Sequence, residues 1–126
     1  MAAGKYSFTI EQGATFQLEL QYKDANNDPI DLTYYGGRMQ IRPSVADSTV
    51  LLQLSSSKSA DGSGLDFSGS NGMTPPASGS IGVYISAVSS SALNFSEAVY
   101  DLEIYSGSFV TRLLEGKVRL SKEVTR

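Results

Sequence analysis

Ala98-Val99-Tyr100-Asp101-Leu102-Glu103-Ile104-Tyr105, then Ser106-Gly107-Ser108, then Phe109-Val110-Thr111-Arg112-Leu113-Leu114-Glu115-Gly116-Lys117-Val118-Arg119-Leu120, is the stretch that decides the fold. Tyr100, Leu102 and Ile104 alternate with Asp101 and Glu103, the two-residue period of a strand with one face in a core and one in water. Ser106-Gly107-Ser108 reads as the turn of a hairpin that returns the chain along the same sheet. On the return strand the adjacent Leu113 and Leu114 break the alternation. Glu115-Gly116 then reads as a bulge that resets the register before Val118 and Leu120.

The same period runs outward to the N-terminus. Tyr6, Phe8 and Ile10 alternate with polar residues, and after a turn at 11–14 so do Phe16, Leu18, Leu20 and Tyr22. Residues 23–29 form a dense cluster of turn formers ending in Pro29. Ile30-Asp31-Leu32 is a short extended piece. Met39 and Ile41 face one way within 38–42 while Arg38, Gln40 and Arg42 face the other, and Pro43, which has no ladder donor, stops that strand. Residues 50–54 form a further strand. From 55 to 80 the chain turns to Ser, Gly, Asn, Asp and Pro, a flexible insertion in which residues 65–67 are expected to form a short strand between mobile flanks. Alternation resumes at 80–86, and the serine-rich piece at 86–93 is the one candidate helix, with Ser86 as its N-cap.

These strands, separated by turn signals, predict an all-β, antiparallel immunoglobulin-like β-sandwich of about seven to nine strands. The single short helix near residues 86–93 crosses between the sheets, and residues 1–126 form one domain. Tyr100 stands where such sandwiches place a tyrosine whose hydroxyl ties a corner; plain core packing is the other reading.

Composition narrows the chemistry. The 126 residues include no His and no Cys, which removes Ser-His-Asp and Cys-His catalysis, imidazole acid-base work, His or Cys zinc sites and disulfides. No catalytic residue, cofactor or metal site is expected. Asp24-x-Asn26-x-Asp28 begins like a calcium loop, but Pro29 stands where glycine is needed and Tyr35 where a bidentate glutamate would close the site. Gly62-Ser63-Gly64 and Gly69-Ser70-Asn71-Gly72 lack the Gly-Lys-Ser/Thr of a phosphate loop, and Lys58 in its polar surroundings has no reason to activate a serine. A net charge of −3 and a pI near 4.8 argue against nucleic acid as the main ligand. No apolar run is long enough to span a membrane, and the first residues have no signal-peptide pattern, so a cytoplasmic start is expected.

Two charge patterns remain. Arg38 and Arg42 are expected opposite Asp101 and Glu103 on neighbouring strands, an outer-face pairing that specifies register rather than performing chemistry. Arg112, Lys117, Arg119, Lys122 and Arg126 gather in the last fifteen residues against Glu115 and Glu123, while the rest of the chain is acidic. That basic end reads either as a docking surface steered by charge or as an edge strand guarded against aggregation. Tyr34 and Tyr35 with Arg38, or Tyr84, offer a stacking surface for a sugar.

The succession Tyr6-x-Phe8-x-Ile10-Glu11-Gln12-Gly13-Ala14-Thr15-Phe16, Asp28-Pro29-Ile30-Asp31-Leu32-Thr33, Arg38-Met39-Gln40-Ile41-Arg42, Gly82-x-x-x-Ile85-Ser86-Ala87, Tyr100-Asp101-Leu102-Glu103 and Leu113-Leu114-Glu115-Gly116-x-Val118 resembles small virion proteins of tailed bacteriophages. The layout is similar to the immunoglobulin-like N-terminal domain of upper-baseplate proteins, over nearly the whole chain except residues 55–80. The resemblance implies a non-enzymatic structural component of the tail or baseplate, assembled in the host cytoplasm into the virion. It would dock other virion proteins and form homo-oligomers, without nucleic acid or membrane. A capsid decoration or head-associated protein is the alternative within that class, and a carbohydrate-binding module the alternative outside it.

Overall fold

The strands in chain order are β1 (Gly4–Lys5), β2 (Phe8–Glu11), β3 (Phe16–Gln21), β4 (Gly36–Arg42), β5 (Leu52–Ser55), β6 (Gly64–Asp66), β7 (Ser80–Ile85), β8 (Glu97–Ser106) and β9 (Phe109–Ser121), with helix α1 (Ala87–Ser91) between β7 and β8. They come from a computed structural model that describes residues 4–23, 26–57, 59–67 and 79–124. One sheet has the order β1-β9-β8-β4-β5, with β2 also on β9; the other has the order β3-β7-β6. This is the Greek-key order of an immunoglobulin-like sandwich, and α1 is the expected crossover. Among the described residues no helix is long and apolar enough to cross a membrane.

Alternation becomes burial where a strand is central. In β8 the inward Ala98, Tyr100, Leu102 and Ile104 are buried, and in β4 Met39 and Ile41. All of these but Ile104 meet Leu65, Val83 and Ile85 of the opposite sheet in one core, while Ile104 joins Leu32 and Ile81 in a smaller cluster beside it. Burying aliphatic side chains of this size contributes about 1.5–3 kcal/mol each. Phe8 bridges the sheets, with its ring centroid 5.0 Å from that of Phe16 and 4.9 Å, edge-on, from that of Tyr100.

Four details depart from the expectations. The N-terminal strands run parallel to β9, with Gly4 opposite Leu114 and Phe8 opposite Val118, in an otherwise antiparallel fold. That pairing makes β9 an interior strand, which corrects the reading of Lys117 and Arg119 as guards of an open edge. The bulge lies at Leu113 rather than at Glu115-Gly116: Leu102 faces Leu114 and Glu103 faces Arg112, leaving Leu113 as the extra residue. The bulge lets Leu113 and Leu114 both pack against the core. Gly116 serves a different need, because a Cβ there would overlap the carbonyl oxygen of Tyr6. Tyr100 uses its hydroxyl, yet not at its own corner. It donates to that same Tyr6 carbonyl at 2.6 Å and ties down the chain between β1 and β2. Burial pushes its phenol up to about 12.

The expected hairpin turn is present, with Ser106 opposite Phe109 and Gly107 at φ +60°. A positive φ at the first loop position suits glycine in a type II′ turn. Within the segment expected as a flexible insertion, residues 59–67 carry β6 and a hydrogen-bonded turn; residues 58 and 68–78 lie outside the described residues.

Candidate docking face

β9 brings Arg112, Lys117 and Arg119 onto the outer face of the larger sheet: Lys117 and Arg119 alternate with the buried Val118 and Leu120, and Arg112, across the bulge, lies opposite Glu103. Register then decides their neighbours. Arg112 lies opposite Glu103, Glu115 opposite Asp101, Lys117 opposite Val99, and Arg119 opposite Glu97. On the other flank of β8, Arg38 lies opposite Glu103 and Gln40 opposite Asp101. β8 is thus an acidic spine between two basic stripes.

Most of these charges are satisfied within the face. Arg38 Nε donates to Glu103 Oε1 at 2.8 Å, and its guanidinium sits 5.2 Å from the Tyr105 ring centroid. The expected pairing of Arg38 and Arg42 with both carboxylates is therefore corrected in part. Glu103 takes Arg38, whereas Asp101 is approached by Arg112 at 3.6 Å, and Arg112 also stands 3.9 Å from Glu115. Gln40 separates Arg38 from Asp101 in the ladder, and Arg42 lies opposite the uncharged Val99. Arg42 donates to Gln40 Oε1 at 2.7 and 3.1 Å and to the Asp47 carbonyl at 3.0 Å. Burial, with Glu103 next in weight, raises the Asp101 carboxyl above its usual value, and Arg112 opposes the rise. A shallow concavity of about 480 Å³ lies over these groups.

Lys117 and Arg119 differ. Among the described residues neither has a carboxylate within 4.0 Å, and both are exposed. The parallel partner strand sets Lys5 opposite Glu115 and Thr9 opposite Arg119. Between β1 and β2, Ser7 Oγ accepts from the Lys117 amide at 3.2 Å. A hollow of about 250 Å³ follows this β2–β9 seam, lined by Ser7, Thr9, Glu97, Lys117 and Arg119 among others. Lys122 is exposed beyond the end of β9, and Arg126 lies outside the described residues. Of the five basic residues singled out, the fold gathers Lys117 and Arg119, occupies Arg112 internally and leaves Lys122 apart.

The aromatic alternative has no common surface. Tyr34 is 95% exposed, Tyr35 packs against the smaller apolar cluster, and Tyr84 lies beneath Gly62 on the other sheet. Of the calcium-like loop, Asp24 lies outside the described residues, as does Lys58.

One polar cluster escaped the sequence reading. Asp61 accepts from Ser59 Oγ at 2.7 Å, the Ser63 amide at 3.0 Å, and Ser86 Oγ and Ser89 Oγ at 2.5 Å each. Ser86 is the N-cap as expected, accepting from the Ser89 amide, so Asp61 latches residues 59–63 onto the start of α1. These bonds, led by that from Ser86, hold its carboxyl far below the usual range. The alternation Ser59-x-Asp61-x-Ser63 was the available signal.

An immunoglobulin-like sandwich bearing a charged sheet face is the class that fold and site define. No known family model matches the chain, and no curated protein matches it in sequence.

Proposed function

We propose that this protein is a non-enzymatic structural subunit that docks other proteins through the outer face of its larger sheet, and that its setting is the virion of a tailed phage, in the tail or baseplate. The observation that carries the docking reading is the contrast within one face. Its other arginines are engaged by neighbours in the fold, whereas Lys117 and Arg119 project from a rigid interior strand without a carboxylate in reach among the described residues. Cations held this way add little to stability, yet they steer and orient a partner. The phage setting rests on the motif resemblance, and homo-oligomers within the particle belong to the same reading.

The experiment is assembly of particles carrying Lys117→Glu and Arg119→Glu together. The expected result is a folded subunit absent from purified particles. Normal incorporation overturns the docking reading, and a tagged subunit found on the head shell moves the protein to the capsid-decoration alternative.

A further inference from the structure

We infer that the seam between β2 and β9 receives an extended protein segment with carboxylates at alternate positions. The inference rests on the docking reading and specifies the chemistry of its partner. Lys117 and Arg119 are two residues apart on one strand and both point outward, so their Cα atoms stand about 6.7 Å apart. In an extended partner, side chains two residues apart on one face have the same spacing. A Glu-x-Glu or Asp-x-Asp segment therefore presents one carboxylate to each cation, while contiguous acids send every second carboxylate away. Ser7 and Thr9 add hydroxyls along the same hollow, and Lys5 continues the basic lane on β1.

The occupant must bring its own carboxylates. Glu103 is committed to Arg38, and Asp101 and Glu115 to Arg112, so of the carboxylates of β8 and β9 only Glu97 is left for a second copy laid on this face, one acid for two cations. A long polyphosphate brings many more charges than the lane's cations can meet and is repelled by a chain of net charge −3, whereas a short segment brings one carboxylate for each cation. Each contact is individually weak and open to salt, so binding depends on several made together.

The test titrates the full chain against a fluorescent peptide of alternating Glu and Thr, the same composition with its glutamates contiguous, and a short DNA duplex. The alternating peptide is expected to bind several-fold more tightly than the contiguous one, and to weaken as salt rises from about 50 to about 300 mM. Lys117→Glu with Arg119→Glu should lower its affinity by at least about tenfold with the circular dichroism spectrum unchanged. Equal binding of both peptides, equal binding of the duplex, or no peptide binding overturns the inference. Salt-sensitive self-association lost in the same variant, without peptide binding, assigns the seam to a second copy. Failure of the peptide together with loss of the variant from particles leaves the docking reading standing and removes only the acidic segment; binding together with normal incorporation does the reverse.

Discussion

The Asp61 cluster and the β2–β9 seam are both polar surface patches, one at each side of the question of what a charge is for. Around Asp61 both carboxylate oxygens are met by donors of the same chain: the hydroxyl of Ser59, the amide of Ser63, and the hydroxyls of Ser86 and Ser89 at the start of α1. Along the seam, Lys117 and Arg119 stand beside hydroxyls but no carboxylate within 4.0 Å among the described residues. The first patch is closed on itself and holds together segments that are distant in sequence. The second is held in place by its backbone ladder and by bonds to backbone from Tyr100 and Ser7, which leaves the side chains of Lys117 and Arg119 available. Polar groups satisfied inside the fold contribute order, whereas cations left over by the same fold are free to meet a partner.

The largest effect should come from removing the seam altogether. Gly116→Val places a side chain against the Tyr6 carbonyl, where even a Cβ overlaps. Stability should fall by about 3 kcal/mol, measured by urea denaturation. Amide exchange should accelerate across β1 and β2 while residues 59–63 keep their protection. Ser86→Ala attacks the other patch, since it removes both the N-cap and a donor to Asp61. A loss of about 1–2 kcal/mol is expected, with exchange rising in 59–63 and α1 and the seam unmoved. Tyr100→Phe deletes the single bond from the core to Tyr6 and should cost about 1 kcal/mol. In the parent protein, phenolate absorbance from Tyr100 should emerge only near pH 12.

Acid discriminates the patches more gently. A carboxylate held below its ordinary value stabilises the fold above the ordinary range and loses that contribution only as pH falls through the depressed value. Lowering pH from 7 to about 4 should therefore leave the Asp61 latch intact, with amide protection at Ser63 unchanged. Asp101 shifts the opposite way: its raised value makes the folded state take up a proton first, so the same descent relieves the cost of its buried charge. The smallest effect belongs to the exposed pair. A double-mutant cycle on Arg38 and Glu103 should give a weak but measurable coupling, and one on Arg38 and Asp101 none beyond error.

Much of the fold was legible because alternation is a local record of burial. Tyr100, Leu102 and Ile104 against Asp101 and Glu103, Met39 and Ile41 against the arginines, and Ser86 as a cap are each readable within a few residues. Glu115-Gly116 reads as the bulge, two residues beyond the true one at Leu113, because glycine signals a bulge equally well as a close approach, and here it provides room for Tyr6. The sequence leaves open which carboxylate meets Arg38, because opposite charges specify that two strands pair, not by how many residues they are offset. Of the candidate docking face, the basic residues of β9 were visible in the sequence. The division between occupied Arg112 and unpartnered Lys117 and Arg119 was not, since it depends on the bulge and on which strand lies at each side.

The sequence by itself determined which way each strand residue points, because successive side chains in an extended chain alternate faces and water sorts them. It likewise determined that this chain has no imidazole or thiol to work with. Only the tertiary structure decided that the N-terminal strands close the side of β9, that Asp61 reaches α1, and that Lys117 and Arg119 are left over. These are facts of register and strand order, made by hydrogen bonds between segments as far apart as Tyr6 and Tyr100, and no local period encodes them.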